Sequence, residues 1–366
     1  MLLAYNLFNY AANQFGFSFS VSLEFAISLI SFFYIIQRGG LKKVNFRKYR
    51  LLLFFLLIIL FSFLFRDVGY AGFKLQILLV RTVFIIFVVD LFISSGYRLN
   101  INLIIAVGII ISFILIYNSS QYGFQLRTSM LTEETTRSRI VTGVLEDSRT
   151  LAFIIALILL SFVRKKLFLI GLAIIGIGLL LTQTRQTVLA LILFIVPYFI
   201  WQQGKKGNIG KNLLLLGVSL AVLIGLLVYL DVDINTSRLF SIEESGNKFF
   251  NVHSRGYLFR WAYGLFVDSP IFGHGFGFTE EAYSYPHNII LEILAELGVI
   301  GLIPFVLAII DRFWVVNDGR IRALIIFTFF LALLTGNIAQ NHLFFLALVM
   351  DSRYFEFSLA KKKLEV

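Results

Sequence analysis

One histidine in this sequence stands where it could move a proton. His287 follows Pro286 and precedes Asn288 at the mouth of a long apolar run. Imidazole changes charge near neutral pH, so a histidine there can orient or deprotonate a hydroxyl. Four arginines are the candidate anion ligands: Arg81, Arg185, Arg255 and Arg260. The guanidinium offers a planar fork that grips phosphate through two bonds, where lysine offers a point charge. Trp261 is a candidate contact for ligand or lipid, and Asn288 and Glu296 are candidates for supporting positions. No metal and no cofactor are expected. Cysteine is absent, and His253, His274, His287 and His342 show no ligand pair at a fixed spacing.

Helical geometry limits the partners of His287. Glu292 and Glu296 are one turn apart on a common face. Nine residues at about 100° each put Glu296 roughly 180° round from His287 and ~13 Å deeper. A dyad of the two is therefore not expected. Glu296 should face a neighbouring helix and pair there with an arginine or a hydroxyl. Arg185 sits at the tip of a hairpin, Thr182 to Thr187. Next to the N–H groups of a helix start it could hold a phosphate, or it could be a solvated arginine beside a capped loop. Arg81 lies about one and a half turns into its helix, able to reach the outer surface or to snorkel to the interface.

The elements that position these residues are membrane helices. The chain has 366 residues, 58% hydrophobic and 14% charged, with a mean hydropathy of +0.87. A soluble domain cannot bury so much apolar surface. Spans are expected near 16–36, 51–65, 75–95, 101–117, 149–163, 167–182, 187–201, 213–230, 288–310, 321–336 and 343–357. At about 20 residues per crossing the fold class is all-α, a polytopic membrane protein with about 11–12 transmembrane helices, residues 1–15 forming a re-entrant piece or the extra span. Those residues carry no basic segment followed by a cleavage site, so no removable signal peptide is expected.

The net charge of +11 suggests nucleic acid at first sight, but topology accounts for it. Arg38–Arg50, Arg98, Arg164–Lys166, Lys205–Lys211, Arg312–Arg322 and Arg353–Lys363 all fall on one side of this arrangement, which the positive-inside rule makes cytoplasmic. Of the twelve basic residues left for the outer side, ten are arginines. That bias suits a phosphate-bearing ligand outside, or ordinary pairing with outer acids.

Two outer loops follow. Residues 118–148 read as a solvated linker in preference to a lid. The larger loop, 231–286, carries an amphipathic helix from Ser254 to Val267, with Ser254 as N-cap and Tyr257, Leu258, Trp261, Leu265 and Phe266 as its apolar stripe. Asp268-Ser269-Pro270 stops it. Such a helix should lie flat at the membrane surface, holding Arg255 and Arg260 at headgroup level. Gly273-His274-Gly275-Phe276-Gly277 matches no nucleotide fingerprint and reads as a sharp turn with the makings of a backbone nest. Pro286 suits the first turn of the next helix.

This stretch resembles the bacterial O-antigen ligase and O-antigen polymerase superfamily. The residues concerned are Ser254-Arg255 with Trp261, then Asp268-Ser269-Pro270-Ile271-Phe272-Gly273-His274-Gly275. They continue with His287-Asn288 ahead of Leu291, and with Glu296-Leu297-Gly298-Val299-Ile300-Gly301. Thr184-Arg185 and Arg139 with Thr142-Gly143 are similar to family positions too. Where members often carry Pro-Asn, this chain has Asp147-Ser148-Arg149.

The resemblance implies a metal-independent glycosyltransferase in the cytoplasmic membrane of a bacterium, with its active site on the extracytoplasmic face. The donor would be a glycan on undecaprenyl diphosphate. Transfer to a second lipid-linked repeat would make the chain a polymerase of surface polysaccharide, the favoured reading. Transfer to a lipid A core saccharide would make it a ligase. A flippase of lipid-linked sugars is the rival from another class, but no internal repeat supports it. In these terms residues 1–230 are scaffold helices with the hairpin tip near 185. Residues 231–286 are the outer loop, and 287–366 the last helices and a basic tail. Expected partners are the donor, the saccharide acceptor and the bilayer, with a chain-length regulator and a flippase beyond them.

Overall fold

The computed structural model describes residues 46–64, 69–97, 101–121, 143–161, 166–181, 185–204, 255–282 and 284–355, with a few positions between 30 and 37. The described residues hold helices and no strand, the all-α class expected from composition. The expected span at 213–230, most of the one at 16–36, and residues 231–254 of the larger expected loop lie outside the described residues, as do 122–142 of the loop expected at 118–148, whose two ends are helical instead.

In chain order, α1 is Arg50–Phe63, α2 is Gly69–Ile77 and α3 is Ile85–Ser94. Between α2 and α3 the backbone winds as a π-helix over Leu78–Phe84. Next come α4 Ile101–Gln121, α5 Gly143–Ser161 and α6 Lys166–Leu181. Then come α7 Arg185–Ala190, a second π segment at Leu191–Ile195, and α8 Val196–Gly204. The last five are α9 Arg255–Asp268, α10 Phe278–Ala282, α11 Ile289–Val315, α12 Gly319–Leu334 and α13 His342–Val349. Two continuous runs, Ala71–Ser94 and Ile289–Val315, are long and apolar enough to cross a membrane.

The helices fall into two compact units. One is built on α4–α8. There Gly108 and Gly178 allow close packing: a Cβ on Gly178 would lie 2.4 Å from the Ser112 hydroxyl. The other unit holds α1–α3 and α9–α13. Its core includes Phe55, Ile59, Leu91, Phe305, Phe327 and Phe344, all nearly inaccessible.

The second unit has a polar cluster at each end of its long helices. At one end Asp90 pairs with Lys48 and accepts from the Tyr49 hydroxyl at 2.6 Å and the Tyr354 hydroxyl at 3.1 Å. Lys48 and Arg312 donate to the carbonyls of Leu348, Val349 and Met350, which end α13. Cations at a helix C-terminus satisfy its orphan carbonyls and oppose its dipole. Lys48 and Arg312, from two segments that the charge pattern assigns to one side, thus meet at the end of α13. The other cluster surrounds Lys74, 16 residues before Asp90, or about 24 Å away along the helix.

Candidate functional site

His287 has φ of 56°, the only non-glycine residue with positive φ among the described residues. Few non-glycine residues adopt this conformation, and those that do cluster where neighbours over-determine the backbone. Both flanks do so here. Asn288 is the N-cap of α11, its Oδ1 accepting from Ile290 N at 3.0 Å and Leu291 N at 3.1 Å. On the other side the Tyr285 ring stands 4.3 Å from the imidazole, centroid to centroid. The side chain of His287 stays half-buried. Pro286 is not in the first helical turn, as the sequence suggested. Asn288 caps better than any residue before it, so the helix starts at Ile289 and Pro286 lies two residues outside.

The glycine-rich segment is the sharp turn expected: Gly273, Gly275 and Gly277 all have positive φ. It is not an anion nest. Its N–H groups are consumed one after another. Gly273 N donates to Ser269 O, His274 N to Ala295 O and Gly275 N to Glu296 O. Phe276 N donates to the Ser62 hydroxyl and Gly277 N to the Glu296 carboxylate. The turn binds a helix, not a phosphate.

That helix is broken to receive it. Gly298 has φ 61° and ψ −159° within α11. The N–H groups freed past the break find carbonyls in the turn: Val299 N to Pro270 O at 2.9 Å and Ile300 N to Ile271 O at 3.2 Å. Irregular backbone at membrane depth survives where protein satisfies it. The two backbones touch. A Cβ on Gly273 would lie 2.3 Å from the Glu296 carbonyl carbon, and one on Gly298 would lie 2.3 Å from Ile271 O. The two glycine motifs of the sequence are therefore two halves of one joint.

Glu296 locks the joint. Its carboxylate is fully buried and accepts from Gly277 N, Thr279 N, the Thr279 hydroxyl at 2.6 Å and Lys74 Nζ at 2.8 Å. None of these partners is His287. The expected hydroxyl partner is present, but the cation is a lysine from α2 and not an arginine. Glu292 accepts from Lys74 at 2.5 Å and from Ile338 N at 2.9 Å. Glu280 accepts from Lys74 at 2.7 Å and from the Asn337 amide at 2.8 Å. Carboxylate oxygens of Glu280, Glu292 and Glu296 lie within 4.8 Å of one another, a donor set a metal could use. The Lys74 ammonium already stands there. Burial pushes the Glu280 carboxyl up, against the pull of Lys74.

Sequence reading missed Lys74, Glu280 and Asn337. A signal existed: acids at i and i+4 inside an apolar span need a cation at the same depth. Lys74, on the neighbouring α2, was on hand to supply it.

Arg260 is exposed on α9, beside a half-buried Trp261. α9 ends at Asp268, one residue past the expected Val267, and buries Leu258 and Ala262. Arg255 opens α9, Arg185 opens α7, and Arg81 lies in the π-helical segment. The side chains of Arg81, Arg185 and Arg255 lie outside the described ones, as does Ser254, the expected N-cap. Arg185 belongs to the other compact unit. Beside the turn runs an apolar groove of about 560 Å³ lined by Leu57, Phe61, Phe272, His274, Leu297 and Ile300. Leu57, Phe61 and Phe272 are among the most exposed apolar side chains described.

Comparison with known proteins agrees with the motif. Residues 170–306 match a family model described as O-antigen ligase. The match begins in α6 and ends in α11 just past Gly301. It includes Arg185, Arg255, Arg260, Trp261, His287, Asn288 and Glu296. No curated protein and no solved structure gives a significant match.

Proposed function

We propose, with similarity to the O-antigen ligase family as the premise, that this chain is a glycosyltransferase of surface polysaccharide assembly, polymerising repeat units carried on undecaprenyl diphosphate. The observation that carries this reading is a histidine held in a strained backbone at the mouth of α11, inside the matched region. In the proposed reaction an acceptor hydroxyl oxygen attacks the anomeric carbon of the donor. The bond from that carbon to the diphosphate oxygen breaks, and the diphosphate leaves with the electron pair. His287 takes the hydroxyl proton. Fixed cations stabilise the charge gathering on the leaving group. Arg185 and Arg255 are assigned that work, with Arg260 and Arg81 as further contacts. Trp261 would stack on a sugar ring or lipid, and the apolar groove beside the turn suits the prenyl chain. Asn288 and Glu296 hold the geometry and do not touch substrate.

The chemistry belongs on the outer face of a bacterial cytoplasmic membrane, where the arginine-rich loops are expected. A second reading, ligation to a separate saccharide acceptor, is favoured by the description of the matched family. One reconstitution separates the two. Purified protein in liposomes is given lipid-linked repeats alone, then with a lipid-core acceptor. Laddered products from repeats alone mean polymerisation. Product only with the acceptor means ligation. No product in either arm, from folded protein, refutes glycosyl transfer.

A further inference from the structure

The hydrogen bonds around Lys74 leave one contact without a hydrogen. Lys74 Nζ faces all three carboxylates at 2.5–2.9 Å. Ile338 N supplies Glu292, Gly277 N and Thr279 N supply Glu296, and the Asn337 amide supplies Glu280 Oε1. The Thr279 hydroxyl has a single proton and two carboxylate neighbours: Glu296 Oε1 at 2.6 Å and Glu280 Oε2 at 3.1 Å. The shorter contact takes that proton. The longer one then sets two oxygens together with nothing between them, unless Glu280 brings a hydrogen of its own.

Charge leads to the same residue. Three carboxylates and one ammonium would leave a net charge of −2 among side chains that are 0–5% exposed. Buried charge without compensation is among the costliest arrangements a protein can hold. α2 contributes Lys74, α11 contributes Glu292 and Glu296, the segment before α13 contributes Asn337 and the Ile338 N–H, and α10 contributes Glu280, Thr279 and the exposed Glu281. Among the described residues Lys74 is the one cation paired with these carboxylates. Glu280 is the least enclosed of the three, so it exchanges protons most readily with the exterior.

We propose that Glu280 carries a proton in the folded protein and donates it to Thr279 Oγ1, forming a relay from Glu280 through Thr279 to Glu296. The relay is a pH-sensitive latch. With the proton in place, α10 is held to α2 and α11. When the proton leaves, a second uncompensated negative charge appears and α10 loosens. α10 begins directly after the last glycine of the turn, Gly277, and ends five residues before His287, so the latch bears on both. Burial raises this carboxyl, so the stabilisation is complete at low pH and fades as pH climbs through the raised value.

Infrared spectra of the full chain in liposomes test this directly. Wild type should show the carbonyl band of a protonated carboxylic acid above the ordinary glutamic acid range, titrating away as pH rises. In Glu280→Gln that band should be missing. The melting temperature of wild type should fall across the same pH interval, and that of Glu280→Gln should stay level, because the amide keeps a donor for Thr279. A band that survives in Glu280→Gln, or an unchanged melting slope, overturns the proposal. A wild-type spectrum without such a band overturns it with no variant needed. Only the link to His287 rests on the proposed function. If transfer is never observed, that link fails while band and melting behaviour still decide the latch.

Discussion

Replacing Gly298 with alanine tests the joint between the turn and α11. The position has φ 61° and ψ −159°, a region open essentially to glycine alone, and holding alanine there costs about 1–3 kcal/mol. The new Cβ would also lie 2.3 Å from Ile271 O and 2.8 Å from Gly273 N. Both are backbone atoms, so the turn has to move. Moving it stretches Val299 N to Pro270 O and Ile300 N to Ile271 O, each worth about 0.5–1.5 kcal/mol. The sum is about 2–6 kcal/mol. Gly264 is the control: it lies in α9 with nothing within 4 Å of a Cβ, so Gly264→Ala should be neutral or stabilising by about 0.5–1 kcal/mol. Thermal unfolding in detergent, followed by tryptophan fluorescence, reads both. Gly298→Ala should melt well below wild type and Gly264→Ala at or above it. Equal melting of Gly298→Ala and wild type would refute the broken helix.

Other perturbations probe the surrounding geometry. Lys74→Met removes the cation from among three buried carboxylates and should cost about 3–5 kcal/mol, seen as lost yield of folded protein. Adding Glu292→Gln should restore part of that yield. Asn288→Ala should lose about 1 kcal/mol of capping while Asn288→Asp keeps it, and melting temperatures check the order. Arg185→Lys should transfer glycan poorly even at full abundance, because a point charge cannot replace a planar fork. Lysine activity equal to arginine would reduce the role to simple charge.

Much of the architecture was legible. Long apolar runs pointed to helices, and Asp268-Ser269-Pro270 marked the end of α9 to within one residue. The glycines announced a turn, because glycine is the residue for positive φ. What the turn does was not legible. Three N–H groups at its head look the same in sequence whether they face a phosphate or the carbonyls of a broken helix, and Gly298 inside a strongly apolar run gave no local sign of a break. Glu296 could be turned away from His287 by counting angles. Its real partner could not be counted, because Lys74 is 222 residues distant and reads as one more basic residue at a helix end. The capping of α11 went wrong for a local reason: Pro286 and Asn288 are both good helix starters two residues apart, and the side-chain bond from Asn288 decided between them.

The proposed chemistry rests on His287 taking the acceptor proton. It is tested most directly by comparing His287→Ala with wild type in liposomes supplied with lipid-linked repeats, at matched protein abundance and melting temperature. The account predicts that His287→Ala folds like wild type and forms no glycan product. Glycan product at a substantial fraction of the wild-type rate from His287→Ala would contradict it.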